Sequence, residues 1–201
     1  MKIPAWFYER NDVVAVAREL LGKYLFTCIN GVVTGGYIVE TEAYDGVNDK
    51  AAHSYGGKLT PRTKTMFAGG GIAYVYLCYG IHEMFNIVVS NEGDPRAILI
   101  RAIHPTIGVE EMMQRRKMNI LMPNITSGPG SVAQALGINR TLNGISLQSN
   151  VLWLEDMELS FTDDEVAAVP RVGVAYALED ALLPYRFYVR GNVHVSKPNK
   201  A

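Results

Sequence analysis

The stretch that most constrains the fold is residues 72–89, Ile72-Ala73-Tyr74-Val75-Tyr76-Leu77-Cys78-Tyr79-Gly80-Ile81-His82-Glu83-Met84-Phe85-Asn86-Ile87-Val88-Val89. β-Branched and aromatic residues on both sides of Gly80 predict a strand, a tight turn and a returning strand. Side chains alternate faces along a strand, so Tyr74 and Tyr76 share one face. Tyr79 has the opposite parity and falls at the turn, where little protein can cover it. Asn86 is a polar amide inside an apolar run, and a buried amide needs a bonding partner. From the hairpin alone, a ligand and an internal partner both remain open.

Around this hairpin the chain alternates short elements. Val13 to Leu21 reads as a helix entered at Asn11-Asp12 and stopped by Gly22. Lys23 to Ile29 and a run ending at Tyr44 form two strands joined at Asn30-Gly31, a strong hairpin signal. Residues 45–71 are polar and glycine-rich, with a short helix predicted from Thr60-Pro61 to about Phe67. Ala97 to Ile103 is a strand with an unusual charge, Arg101, inside it. Gly108 to Lys117 and Val132 to Leu136 read as helices, Val151 to Leu154 and Arg186 to Arg190 as strands. Residues 156–168 are acidic and predict an exposed connection. Strands paired as hairpins, without regular βαβ units, give an α+β class with a mainly antiparallel sheet.

Composition limits the function classes. With 201 residues the chain fits one domain, and 48% hydrophobic with 19% charged residues describe an ordinary soluble protein. There is no signal-peptide pattern at the N-terminus and no apolar run of membrane-spanning length. Cys28 and Cys78 lack disulfide or metal spacing and predict buried thiols in a reducing compartment. The net charge of −1 does not announce a nucleic-acid binder. Basic residues nevertheless gather at Lys58, Arg62 and Lys64, at Arg115, Arg116 and Lys117, and around Arg186, Arg190 and Lys197.

The candidate chemistry lies in Tyr37-Ile38-Val39-Glu40-Thr41-Glu42-Ala43-Tyr44. Alternation puts Glu40, Glu42 and Tyr44 on one face. Two carboxylates beside an aromatic ring suit acid/base work, because close like charges push their pKa values apart. Two surface acids on a solvated face would give the same pattern. His53 follows in the polar loop. Ser127-Gly128-Pro129-Gly130-Ser131 before a helix offers backbone N–H groups suited to a phosphate, although an ordinary capped turn fits as well. No zinc spacing and no Gly-x-Gly-x-x-Gly is present, so catalysis by side chains and water is expected, without metal or cofactor.

These pieces together resemble one family. Ile38-Val39-Glu40-Thr41-Glu42-Ala43-Tyr44, Ala51-Ala52-His53-Ser54, Thr60-Pro61-Arg62, Met66-Phe67, Tyr74-Val75-Tyr76, Tyr79-Gly80, Asn86-Ile87 and Leu99-Ile100-Arg101-Ala102 occur in order. Ser127-Gly128-Pro129, Gln134-Ala135-Leu136, Arg171-Val172-Gly173-Val174 and Arg186-Phe187-Tyr188-Val189-Arg190-Gly191 continue the pattern over nearly the whole chain. The sequence is similar to the alkyladenine (3-methyladenine) DNA glycosylases of the mammalian type.

The resemblance implies a single domain over residues 1–201 with a curved, mainly antiparallel sheet, flanking helices and a protruding β-hairpin. It implies a monofunctional DNA glycosylase that flips alkylated or deaminated purines out of duplex DNA and hydrolyses the N-glycosidic bond. Glu42 matches the general base, and Arg101 and the Val172 carbonyl match groups that hold its water. Tyr44, His53 and Tyr76 match the walls of a base pocket, Asn86 the obstacle to guanine's 2-amino group, and Tyr79 the wedge in the minor groove. No catalytic lysine matches, which implies no Schiff base and no strand nick. Arg62, Lys64 and Ser131 are the candidate backbone contacts. Ser131 stands where many members have a lysine, so one phosphate contact is missing or replaced. Damaged double-stranded DNA is the implied partner, the protein acting as an intracellular monomer away from membranes. A hydrolase of free nucleosides would have no use for an exposed wedge at Tyr79, and a non-catalytic base-stacking module no use for an acid at Glu42.

Overall fold

The computed structural model describes residues 1–197. The helices are α1 (Val13–Glu19), α2 (Val109–Arg115) and α3 (Pro129–Leu136). The strands are β1 (Tyr24–Ile29), β2 (Val32–Tyr44), β3 (Ala73–Cys78) and β4 (His82–Val89). They continue with β5 (Arg96–Ile107), β6 (Leu152–Glu155), β7 (Val166–Val169) and β8 (Arg186–Val189). The sheet runs β3-β4-β5-β2-β1-β6, with β8 joining β2 to β7. Every pairing between these strands is antiparallel, and the α+β class with a curved sheet and flanking helices follows.

The long strand β2 is the axis. One edge pairs with β5 along most of its length. The other pairs first with β1, through Val32–Tyr37, and then with β8 through Glu40, Thr41 and Glu42. Register shifts against β5 at Gly35/Gly36, Ile38/Glu40 and Glu40/Thr41 insert extra residues on one side. Such bulges bend a strand and sharpen its twist, which curves the sheet next to the two glutamates.

The apolar runs decide which face is covered. Val16 and Ala17 of α1, Ile38, Val39 and Ala43 of β2, Phe85 and Ile87 of β4 and Ile98, Ile100 and Ile103 of β5 are buried together with Val132, Ala133 and Leu136 of α3. The Thr41 hydroxyl donates to the Ala17 carbonyl at 2.8 Å and ties α1 to β2. Phe85 is fully buried in this core, and truncating such a ring to alanine costs about 3–5 kcal/mol.

Four expectations are corrected. Residues 156–168 are not wholly an exposed connection: β7 begins at Val166, and Val166 and Ala167 are buried against β8. The predicted helix opening at Thr60-Pro61 is a turn followed by a 3-10 turn over Lys64–Phe67. Helix α3 starts at Pro129, three residues early, because proline suits the first helical turn. Cys28 and Cys78 are free but only half-buried, since both sit towards the ends of their strands.

Candidate active site

The β3–β4 hairpin places its tip by turn chemistry. Tyr79 and Gly80 both have positive φ, 50° and 74°, and the Ile81 N–H donates to the Cys78 carbonyl at 3.1 Å. Two left-handed central residues match the twist of a hairpin. Gly80 takes that conformation freely, whereas Tyr79 carries strain in it. Tyr79 is 92% exposed, and its neighbour Ile81 is exposed as well. Behind the tip, Tyr74 and Tyr76 do share a face, with ring centroids 5.3 Å apart. Asn86 pairs across the strands with Tyr74, and its Nδ2 donates to the carbonyls of Tyr74 at 3.1 Å and Met84 at 3.4 Å. The internal partner left open by the sequence is therefore present.

Glu40, Glu42 and Tyr44 also share a face, but the two acids are not surface groups. Both are fully buried. Glu42 accepts the Val172 N–H at 2.7 Å on Oε1 and the Tyr44 hydroxyl at 2.9 Å on Oε2, and forms an ion pair with Arg101, whose Nη1 lies 3.3 Å from Oε2. A carboxylate has about four acceptor positions. Acceptor capacity therefore remains for a further donor. Burial, then the Glu42 carboxylate, push the Tyr44 hydroxyl well up, so it remains a proton donor.

Glu40 has a different role from the paired acid suggested by the sequence. Its Oε1 accepts from Arg101 Nε at 2.8 Å, Arg186 Nε at 2.7 Å and the Ser196 hydroxyl at 2.8 Å, and its Oε2 from the Ser196 N–H at 2.6 Å. Arg101 Nη2 in turn donates to Ser196 Oγ at 3.0 Å. Arg101 therefore stands between the acids, with Nε on Glu40 and Nη1 on Glu42. Burial opposes its charge, but Glu42 and then Glu40 outweigh that and raise its pKa above the ordinary value.

Ahead of Glu42 the polar loop brings His53 to the tyrosines. His53 lies edge-on to Tyr76 with centroids 4.7 Å apart, and its Nδ1 is 3.0 Å from the Tyr74 hydroxyl. Arg62 Nη2 lies 3.0 Å from His53 Nε2. An arginine only donates, so Nε2 is the acceptor and Nδ1 carries the hydrogen. Burial, aided by the Arg62 charge, pushes the imidazole down to about 4, and His53 is neutral at pH 7.

Several basic candidates are placed by the fold. Arg186 is buried on Glu40, Arg115 is bonded to Glu111 and Thr34, and Arg116 to Gln134 and the Ile125 carbonyl. These are structural residues. Arg62 and Lys64 are exposed. Ser131 is half-buried in the first turn of α3, and a Cβ at the adjacent Gly130 would lie 3.0 Å from the His82 ring, so α3 begins against the hairpin. The sequence reading missed Ser196, and also Tyr176, whose hydroxyl donates to the Ala51 carbonyl at 3.0 Å beside His53. It quoted Arg171 only within a motif. That guanidinium lies over Tyr44, 4.9 Å from the ring centroid, and donates to Asp49 at 2.9 Å.

The fold thus sets one buried, tethered glutamate near a cluster of aromatic rings, with an exposed tyrosine at the hairpin tip. The profile of the methylpurine-DNA glycosylases matches residues 6–193, and the chain belongs to that family. Proteins carrying the name "Putative 3-methyladenine DNA glycosylase" align along their whole length with 98% of this chain. Among them are one from Bacillus cereus strain G9842, 45% identical over 206 residues, and one from Bacillus thuringiensis strain Al Hakam, 44% identical over 205. No helix among the described residues is long and apolar enough to cross a membrane, and no cluster of His, Cys, Asp and Glu among them could hold a metal.

Proposed function

We propose that the protein is a monofunctional DNA glycosylase that flips damaged purines from duplex DNA and hydrolyses their N-glycosidic bond with a water activated by Glu42. The observation carrying this reading is the Glu42 carboxylate, fully buried yet with acceptor capacity left over, hydrogen-bonded to Tyr44 and near the packed rings of His53 and Tyr76. A water donating to that position gives up its proton to Glu42 as it attacks C1′ of the deoxyribose. The base departs with the electron pair of its glycosidic bond. A cationic alkylated purine leaves neutral and needs no acid, whereas a neutral deaminated purine leaves as an anion and takes its proton from solvent. The carboxylate also opposes the positive charge that develops on the sugar.

Arg101 holds the carboxylate from one side and Val172 from another. The recorded contact of Val172 is through its N–H, and we assign its carbonyl to the water. A flipped base stacks on the tyrosine and histidine rings. Asn86 is tied by its Nδ2 and cannot swing aside, so a 2-amino group on a normal guanine meets fixed atoms. Tyr79 enters the duplex and fills the space the nucleotide leaves, offsetting part of an unstacking cost of a few kcal/mol. Its exposure favours a duplex substrate over a free nucleoside. Lys64 and Ser131 are assigned to the DNA backbone. The test is release of free base from duplexes that each carry one defined lesion, followed by gel analysis of the product strand. Release that leaves the strand intact is expected. No release from any alkylated or deaminated purine overturns the proposal.

A further inference from the structure

Arg62 lies on the rings that form the base slot. Its guanidinium carbon is 4.5 Å from the centroid of Tyr76, and its Nη2 donates to His53 Nε2 at 3.0 Å. Among the described residues it forms no ion pair with a carboxylate, and it rests on the Tyr76 ring and the imidazole lone pair of His53. A guanidinium is flat, cationic and rich in N–H donors. An alkylated purine has the same character.

We propose that Arg62 is a cap on the slot: in the free protein it occupies the face of Tyr76 on which a flipped base would stack, and a base enters only by displacing it. This rests on the glycosylase reading and adds an internal competitor to it. A base that takes the place of Arg62 must replace a cation–π contact and a hydrogen bond to His53. A cationic purine replaces the first in kind, whereas a neutral, undamaged purine does so poorly. Each entry into the slot thereby carries the same toll, which only a base that stacks well on the bared rings repays. Backbone around residues 57–62 is exposed, so the displaced side chain has room to turn outward. A DNA phosphate, near at that moment, suits its released charge.

The experiment compares wild type, Arg62→Ala and Arg62→Lys without DNA. Isothermal titration measures binding of two free purines, neutral hypoxanthine and the permanently cationic 7,9-dimethyladeninium. Removing the cap should tighten both by roughly twofold to thirtyfold, the range of one cation–π contact. The lysine variant, charged but not flat, should fall between. In parallel, NMR titration of the His53 ring should show its protonation moving to higher pH in Arg62→Ala, because a neighbouring positive charge has gone. Both changes together support the cap. Unchanged or weaker purine binding by Arg62→Ala, with wild type binding purines and releasing lesions, overturns the cap and leaves the glycosylase reading standing. A shift at His53 without a gain in affinity also overturns it, since the guanidinium then rests at the rim without barring the slot. If no variant binds either purine and no lesion is released, the slot takes no base and both readings fall.

Discussion

The backbone N–H of Val172 donates to Oε1 of Glu42 at 2.7 Å across 130 positions of sequence. An N–H from the loop that follows β7 thus fixes one oxygen of an acid on β2, while Tyr44 and Arg101 hold the other. The carboxylate has little freedom to rotate. Its remaining lone pairs are then held in fixed directions.

Glu42→Gln keeps the shape of the group and removes its basicity. Base release in single-turnover assays should fall by about 10²–10⁴, the scale of a positioned general base. Binding to lesion-bearing duplex should persist, since stacking and shape are untouched. Activity within about tenfold of wild type rejects Glu42 as the base.

Asn86→Ala removes the obstacle and two hydrogen bonds to backbone carbonyls. Release of guanine from undamaged DNA should rise. Stability should drop by about 1–3 kcal/mol, at roughly 0.5–1.5 kcal/mol per bond. Guanine release that stays at background in a folded variant counts against the exclusion role.

Tyr79→Ala truncates an exposed side chain and should leave the thermal midpoint nearly unchanged. Flipping of an ethenoadenine lesion, followed by its fluorescence, should weaken. The defect should shrink where the lesion sits in a bulge or mismatch, because extrusion there is already cheap. Equal flipping and excision in every context removes the wedge.

Glu40→Ala leaves Arg101 and Arg186 without their shared buried partner. Breaking a buried ion pair from one side costs about 3–5 kcal/mol. Chemical denaturation should show a loss of that size. Excision should slow as well, since Arg101 no longer has one side fixed.

Stability should depend on pH through His53. Its folded pKa, about 4, lies below the ordinary 6.5. Between those values the unfolded chain binds more protons than the native protein, so stability falls as pH drops through the window. Urea midpoints measured from pH 7 to pH 4 should show this slope, and His53→Asn should flatten it. An unchanged slope in the variant assigns the effect to other groups.

Much of the site was legible because its residues lie on regular strands. Period two placed Glu40, Glu42 and Tyr44 together, set Tyr74 beside Tyr76 and left Tyr79 outside. The ordered motifs added His53 and Asn86. What alternation cannot give is the partner of a group. Glu40 and Glu42 look alike in sequence, yet one is neutralised by two arginines and the other keeps an open acceptor position. Ser196 lies 156 residues from Glu40, and no local pattern announces that contact. Strand β7 escaped notice because its four residues include two alanines and follow an acidic run.

The Glu40 cluster bears on how the chain leaves the ribosome. Glu40 and Arg101 emerge early, while Arg186 and Ser196 follow much later. Throughout that interval the acid of β2 has one arginine instead of two and lacks the serine hydroxyl and N–H. Val172, too, arrives long after Glu42. A nascent chain stalled before residue 171 therefore lacks a closed polar core and the N–H that holds Oε1 of Glu42. The polar core around Glu40 is therefore closed only by the docking of β8 and the segment through Ser196.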